Sequence, residues 1–295
     1  MKKSTQISLI ISIAFIVIGG ILYALGLHYG GFDQAKEMSS LMIDKFGLHV
    51  PLNDTSLYFK FNTNEEKING DYTGNFDLSD VDNIDIQIGA ADLKFNDSTD
   101  ESIGVTLDGM NTSQVYVDDD TLFICSKGST MKGKVEIAIP KSAKFNNINI
   151  EAGAAEMKNI AWECNRITMD LGAGDAKITS LNVTDSAIFD IGAGNLEIQN
   201  AVIADMDADL GMGNLEFNGL VSGDLTVDCG MGNAEFSFTD SADNHNFDLE
   251  ASLGNIELGQ KRDSGLGNHI VIDNDADSDY EVECGMGNIE INFAK

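Results

Sequence analysis

The sequence predicts an all-β fold, a β-solenoid of ~20-residue coils preceded by one N-terminal transmembrane helix. Three observations carry this reading. A glycine motif recurs at a near-constant spacing, the residues on either side of it alternate apolar and polar, and a single uncharged apolar run stands near the N-terminus.

The apolar run is Ile7 to Leu27. As a helix rising ~1.5 Å per residue it spans ~30 Å of hydrocarbon. Lys2 and Lys3 precede it, and the first acid after it is Asp33. The positive-inside rule then puts residues 1–6 in the cytoplasm, 7–27 in the membrane and the rest of the chain outside. A cleaved signal peptide is the competing reading, but its apolar core is shorter, ~7–15 residues, and no small-x-small cleavage site follows here. Residues 28–75 read as a juxtamembrane stalk, with a short amphipathic helix over Asp33 to Phe46, and 76–295 as the solenoid.

The charge balance narrows the partners. The chain of 295 residues carries 48 acids against 18 Lys and Arg, a net charge of −30. Nucleic acid is excluded, because phosphate binding needs a basic face. A hydrophobic content of 43% is enough to fill a core, which argues against wholesale disorder.

The repeats follow. IGAADLKF begins at Ile88, AGAAEMKN at Ala152, LGAGDAKI at Leu171 and IGAGNLEI at Ile191. LGMGNLEF begins at Leu210, CGMGNAEF at Cys229, ASLGNIEL at Ala251 and CGMGNIEI at Cys284. From 153 to 252 the first motif position recurs every 19 to 22 residues. Coil corners fall at Gly172 and Gly174, Gly192 and Gly194, Gly211 and Gly213, Gly230 and Gly232, and Gly285 and Gly287. Before each corner, residues such as Ile167, Met169 and Leu171 alternate with Thr168 and Asp170, a period of two with one face inward and one wet.

Stacked coils align equivalent residues into columns. Asn195, Asn214, Asn233, Asn255 and Asn288 are expected to form a hydrogen-bonded amide ladder. The next outward column changes from Lys94, Lys158 and Lys177 to Glu197, Glu216, Glu235, Glu257 and Glu290. Solvent can screen those glutamates, or a divalent cation can bridge them, which makes Glu197, Glu216, Glu235 and Glu257 candidate calcium ligands. Met212, Met231 and Met286 share a corner column and read first as core or packed corner; exposed, they would form a soft apolar stripe suited to protein contact. Cys229 and Cys284 share an inward column. With the coil of Ala251 between them they would be ~9–10 Å apart, beyond disulfide reach. Buried apolar thiols are then expected.

The remaining segments fit around the coils. Val115 to Val117 and Leu122 to Ile124 read as a hairpin turning at Asp118 to Asp120, and Val135 to Ile139 as a strand stopped by Pro140. Residues 259–280 read as a long loop or irregular coil. None of the four His has a Ser or Cys partner at a recognised spacing, so no catalytic triad is expected. Lys158 and Lys177 can stack near Arg166 as a small basic patch. The enzymatic alternative is a polysaccharide-acting β-helix enzyme using Arg166 or Lys177 beside converging acids.

FDLSDVDNIDIQIGAADLKF at 76–95, VEIAIPKSAKFNNINIEAGAAEMKN at 135–159 and the GAGNLEI-type coils together resemble the bacterial DUF4097 proteins, also called "putative adhesins". The resemblance covers roughly 75–295. It implies a right-handed, single-stranded solenoid exposed at the cell envelope, some relatives being encoded near envelope-stress regulators. It brings no catalytic residues. Ala91 and Ala155, where the pattern has its second glycine, and Ser252, where it has the first, depart from it. The expectation is a non-enzymatic, single-pass envelope protein without a resident cofactor. It would present an acidic surface for adhesion, envelope-stress signalling or assembly, to an envelope polymer or a protein. The last coil, ending at Phe293, leaves little room for a cap, so self-association is expected through it.

Overall fold

The computed structural model describes residues 61–294 other than 63, 111 and 127–132. The expected cytoplasmic N-terminus, the anchor at 7–27, the helix over Asp33 to Phe46 and the stalk as far as residue 60 lie outside the described residues. Among the described residues no helix is long and apolar enough to cross a membrane.

The domain is all-β. Its strands are β1 (Ile68–Asn69), β2 (Tyr72–Asp77), β3 (Asn83–Ser98), β4 (Ser102–Asp108), β5 (Thr112–Asp118), β6 (Thr121–Ser126), β7 (Lys134–Pro140), β8 (Phe145–Ala193), β9 (Leu196–Val221), β10 (Leu225–Phe238), β11 (His245–Leu258), β12 (Lys261–Ile272) and β13 (Ser278–Phe293). The sheet runs β1-β5-β6-β3-β8-β9-β10-β13-β11-β12, with β7 also on β3, β4 on β7 and β2 on β4.

From β3 to β11 the neighbours along this path are parallel and in motif register. Leu93 faces Met157, Ala176 faces Leu196, Leu215 faces Ala234, and Ile289 lies between Ala234 and Ile256. All eight are buried, as are Ile167, Met169 and Leu171 on the approach to a corner. The alternation read from sequence is therefore the wall of a solenoid-like stack, with one face of each strand in a continuous apolar core.

The glycine corners explain why the register is kept. Gly213 has φ +146, and a Cβ there would overlap the carbonyl oxygen of Gly194 in the coil beneath. Gly194, Gly232, Gly254 and Gly287 repeat this relation with their own neighbours. The first glycine is tight too, since a Cβ on Gly211 would lie 2.6 Å from the Gly192 oxygen. Ala91 and Ala155 are absent from the positive-φ residues and have buried side chains, so the first two corners bend differently.

Antiparallel strands close the N-terminal end. The expected hairpin is β5–β6, turning through Asp119 and Asp120 at φ +44 and +60. β6 covers the first half of β3 and β7 the second. The stalk boundary needs correction. β1 and most of β2 fall inside the segment read as stalk, yet pair with β5 and β4, and Tyr72 packs on the core. The period-two pattern YTGNFD is the signal that was passed over.

The C-terminal end needs a larger correction. The segment read as a loop contains β12, which folds back antiparallel on β11, from Leu258 opposite Lys261 to Phe247 opposite Ile272. The last strand, β13, does not end the stack. It inserts between β10 and β11, pairing along its length with both. The coil expected to be open for self-association thus has both edges occupied, and the end strand is β12.

Because Gly213 must adopt positive φ and admit the Gly194 carbonyl, Gly213→Ala is expected to destabilise the domain by about 3 kcal/mol or more. Gly70→Ala, whose surroundings are open, is expected to cost only its backbone strain. Urea melts of both variants check this, and equal losses would refute the close-approach account.

Candidate functional site

The corner face has the most distinctive chemistry. The backbone turns at Gly-Met-Gly, so the residue between the glycines points outward rather than into the core. Met212, Met231 and Met286 stand in register on β9, β10 and β13, continued by Leu253 on β11 and Leu266 on β12. Met212 is 50% exposed, Met286 37%, Leu253 39% and Leu266 74%. The methionine column read as core or packed corner is instead a solvent-facing apolar stripe. Alternation inverts at the positive-φ glycine, which periodicity alone does not reveal.

Amides flank the stripe on one side. Asn195 Nδ2 donates to Asp175 Oδ1 at 2.7 Å, and Asn214 Nδ2 to Asn195 Oδ1 at 2.8 Å. Asn233 donates to Asn214 at 3.2 Å, Asn288 to Asn233 at 3.0 Å and Asn255 to Asn288 at 2.9 Å. Each acceptor oxygen also takes the backbone N–H of the next rung. The sequence order of the last two rungs is reversed, because Asn288 lies between Asn233 and Asn255.

Beyond the amides runs the glutamate column, in spatial order Glu197, Glu216, Glu235, Glu290 and Glu257. Cations close both ends. Lys177 pairs with Glu197, and Arg262 with Glu257 at 3.1 Å. The candidate calcium ligands are therefore unequal. Glu197 and Glu257 hold protein cations, whereas Glu216 and Glu235 have no cation partner among the described residues. Those residues contain no group of three or more metal-ligating side chains arranged to hold an ion.

A second acidic column lies on the other side of the stripe. Asp190, Asp209, Asp228, Glu283 and Glu250 are register neighbours, with Asp170 close enough to Asp190 to feel its charge. Burial first, then the neighbouring carboxylates, raise the pKa of Asp170 and Asp209. His269 of β12 lies opposite Glu250 and contacts Asp248 Oδ1 at 2.6 Å, and this hydrogen bond raises its pKa. A further ladder escaped the sequence reading. The Asp224 N–H donates to Asp205, the Asp279 N–H to Asp224, and Asn246 to Asp279.

The other candidates have bound partners. Arg166 pairs with Asp185, Lys158 with Glu156 and Lys177 with Glu197, so the proposed basic patch is three separate ion pairs. A groove of about 670 Å³ is lined by Trp162, Asn159, Thr179 and Asn182, and its Asp97 and Glu163 pair with Lys141 and Lys144. His245 meets a serine in space, though not at a recognised sequence spacing. Its Nδ1 contacts Ser278 Oγ, and its Nε2 contacts Asp240 Oδ2 at 2.7 Å. The ring is 2% exposed and stacks on Tyr280 with centroids 4.0 Å apart, while Ser278 Oγ also donates to the Asn244 carbonyl. This set pins the start of β13 in place and offers no exposed nucleophile.

The acidic column sets a pH dependence. A carboxyl whose folded pKa is raised holds its proton more tightly folded than unfolded. Stability then rises as pH falls from neutral through that raised value, and levels off below the ordinary carboxylate value. Asp209→Asn is expected to melt about 2 °C higher than the native chain at pH 8. That advantage shrinks as the pH is lowered to 4. Calorimetry across this range checks it, and a constant difference would refute the like-charge account.

Comparison with known proteins adds the family. No curated protein matches the chain. Among solved structures, a "putative adhesin" from Parabacteroides distasonis is similar at 14% identity and TM-score 0.42, covering 75% of this chain and 97% of its own. One from Bacteroides fragilis is 15% identical with TM-score 0.40, covering 75% and 96%. A "putative cell adhesion protein" from Clostridium sporogenes is 11% identical with TM-score 0.33, covering 76% and 99%. The family model described as Toastrack DUF4097 matches residues 81–292, from before the first coil through nearly all of β13, and the chain belongs to that family.

Proposed function

We propose that this protein is a non-enzymatic surface protein of the bacterial cell envelope, held in the membrane by residues 7–27 with its coils outside and winding right-handed. It acts by presenting the corner face to a partner. One observation carries this reading, the stripe of exposed Met212, Met286, Leu253 and Leu266 with half-buried Met231 among them, between two columns of carboxylates. Exposed methionines form a soft, adaptable contact surface, and contiguous apolar patches on otherwise polar faces mark interaction sites. The flanking charge selects a partner with an apolar ridge edged by basic groups, and repels anionic surfaces. Adhesion, envelope-stress signalling and assembly would all use such a face. The polysaccharide-acting alternative needs Arg166 or Lys177 available beside converging acids, and both are engaged in ion pairs.

Sedimentation with isolated cell envelopes and with bare cell-wall sacculi tests the proposal. The native protein is expected to co-pellet, less so at high salt. Met212→Ser, Met286→Ser and Leu266→Ser combined are expected to weaken retention by about tenfold without lowering the melting temperature. Equal retention of the variant would sink the proposal.

A second reading has its own support. Glu216, Glu235 and Glu290 occupy successive rungs without a cation partner among the described residues; no three of them converge on one point, so a cation would bridge neighbouring carboxylates in pairs. Millimolar calcium is then expected to raise the melting temperature, and Glu235→Gln to abolish the rise. A melting temperature indifferent to calcium excludes this reading.

A further inference from the structure

The insertion of β13 changes which cysteines are neighbours. In chain order the coil of Ala251 separates Cys229 from Cys284. In the sheet β13 lies directly on β10, and Cys229 and Cys284 are in-register partners. Cys229 has Leu210 on its other side and Cys284 has Ala251, so the two thiols are adjacent rungs of one inward column. Both are buried, at 0% and 2% exposure. Parallel neighbours place their Cα atoms ~4.8 Å apart, inside the 4.4–6.8 Å range of disulfides. Each thiol reaches a glycine carbonyl of the neighbouring coil, Cys284 Sγ the Gly232 oxygen at 3.4 Å and Cys229 Sγ the Gly213 oxygen at 4.0 Å, and the two lie close enough for each to shift the other's ionisation. Cys125 lies opposite Gln87 and Gln114 in register, and both Cys125 and Cys164 are buried.

We propose that Cys229 and Cys284 are a disulfide-forming pair that fastens the inserted strand β13 to β10. The oxidant is a disulfide, either of a dithiol oxidoreductase or of a small thiol such as glutathione. One cysteine thiolate attacks it, forming a mixed disulfide and releasing one reduced thiol. The second cysteine thiolate then attacks the mixed disulfide at the first cysteine's sulfur. The Cys229–Cys284 bond forms and a second reduced thiol leaves. The pair has given up two electrons and two protons, and the oxidising disulfide has taken up both. Cys284 is the better first nucleophile. The adjacent Cys229 thiol holds the Cys284 pKa below the ordinary thiol value, while the Cys284 thiol and burial raise that of Cys229. Burial at both sites means that the bond closes as β13 docks, or when its end frays. Once closed, the bond removes much of the freedom of the unfolded 229–284 segment.

In cells the proposal rests on the extracytoplasmic placement above, which supplies an oxidising compartment. The test therefore begins with the purified full chain in detergent. It is brought to equilibrium with reduced and oxidised glutathione at several ratios, acid-quenched, alkylated in denaturant and peptide-mapped. The expected product is a peptide pair joined through Cys229 and Cys284, two hydrogens lighter than the separate peptides and split by dithiothreitol. Oxidation is expected to raise the melting temperature by about 5–10 °C. The shift should persist in Cys125→Ala/Cys164→Ala and vanish in Cys284→Ala. Full alkylation of both thiols at the most oxidising ratio overturns the proposal, as does linkage through Cys125 or Cys164. The map of the native chain decides even where Cys284→Ala does not fold. If the pair closes in buffer while the same map on freshly quenched cells finds free thiols, the pair stands and the extracytoplasmic placement fails.

Discussion

The contact on which the rest of this structure depends is that of a glycine with the carbonyl oxygen of the glycine one coil away. At Gly194, Gly213, Gly232, Gly254 and Gly287 the backbone bends at positive φ and leaves no room for a Cβ. A shift of one residue would drive a side chain into that oxygen, and it would also turn every core residue of the coil outward. The corners therefore fix the register twice over, by steric exclusion and by the apolar face they keep inside. Everything on the surface follows from that register. Once the coils cannot slip, each surface residue type becomes a column.

Columns amplify whatever they are made of. An asparagine above an asparagine gains, because each amide donates to the neighbour on one side and accepts from the neighbour on the other, and the backbone N–H joins in. A carboxylate above a carboxylate loses, and that repulsion adds to burial, the larger cause, in raising the pKa values of Asp170 and Asp209. The molecule limits the loss by placing cations at the ends, Lys177 below and Arg262 above the glutamates, with His269 on the end strand beside Asp248. Such exposed pairs contribute little individually. Retaining the acids in the middle of the columns is then easier to understand as a property of the surface than as a contribution to the fold.

The coils, the columns and the β5–β6 hairpin were legible because they rest on local periods. A spacing of 19 or 20 residues with alternation on either side has few three-dimensional solutions. The insertion of β13 was not legible from spacing, since it is a matter of which non-local edge is free. Even so, a signal was present. CGMGNAEF and CGMGNIEI, the motifs at Cys229 and Cys284, are more alike than either is to ASLGNIEL at Ala251, and the two alike segments lie side by side. Likeness of motif tracked adjacency better than order in the chain. The exposed methionines were misread for a different reason. A period of two assigns inside and outside only while φ stays negative, and Gly213 and its equivalents reset it.

The same end problem explains both the insertion and the character of β12. A stack of parallel, in-register coils ends in a row of unpaired backbone groups that would template another copy. If β13 were outermost, its CGMGNIEI edge would match the edges of the coils within and invite just that addition. Placing β13 inside buries the matching edge. β12, which covers β11, is antiparallel and carries Lys261, Arg262 and His269 with glycines at 265 and 267, the charged and irregular composition that blunts an edge. The insertion then needs fastening, because β13 separates two strands, β10 and β11, that follow one another in the chain. Tyr280 supplies part of this through its bond to the Val221 carbonyl at 2.6 Å and its stacking on His245, and the His245–Ser278 contact supplies more. These contacts all lie toward the start of β13. Cys284, further along the strand and next to a corner, meets Cys229 where that polar anchoring has run out.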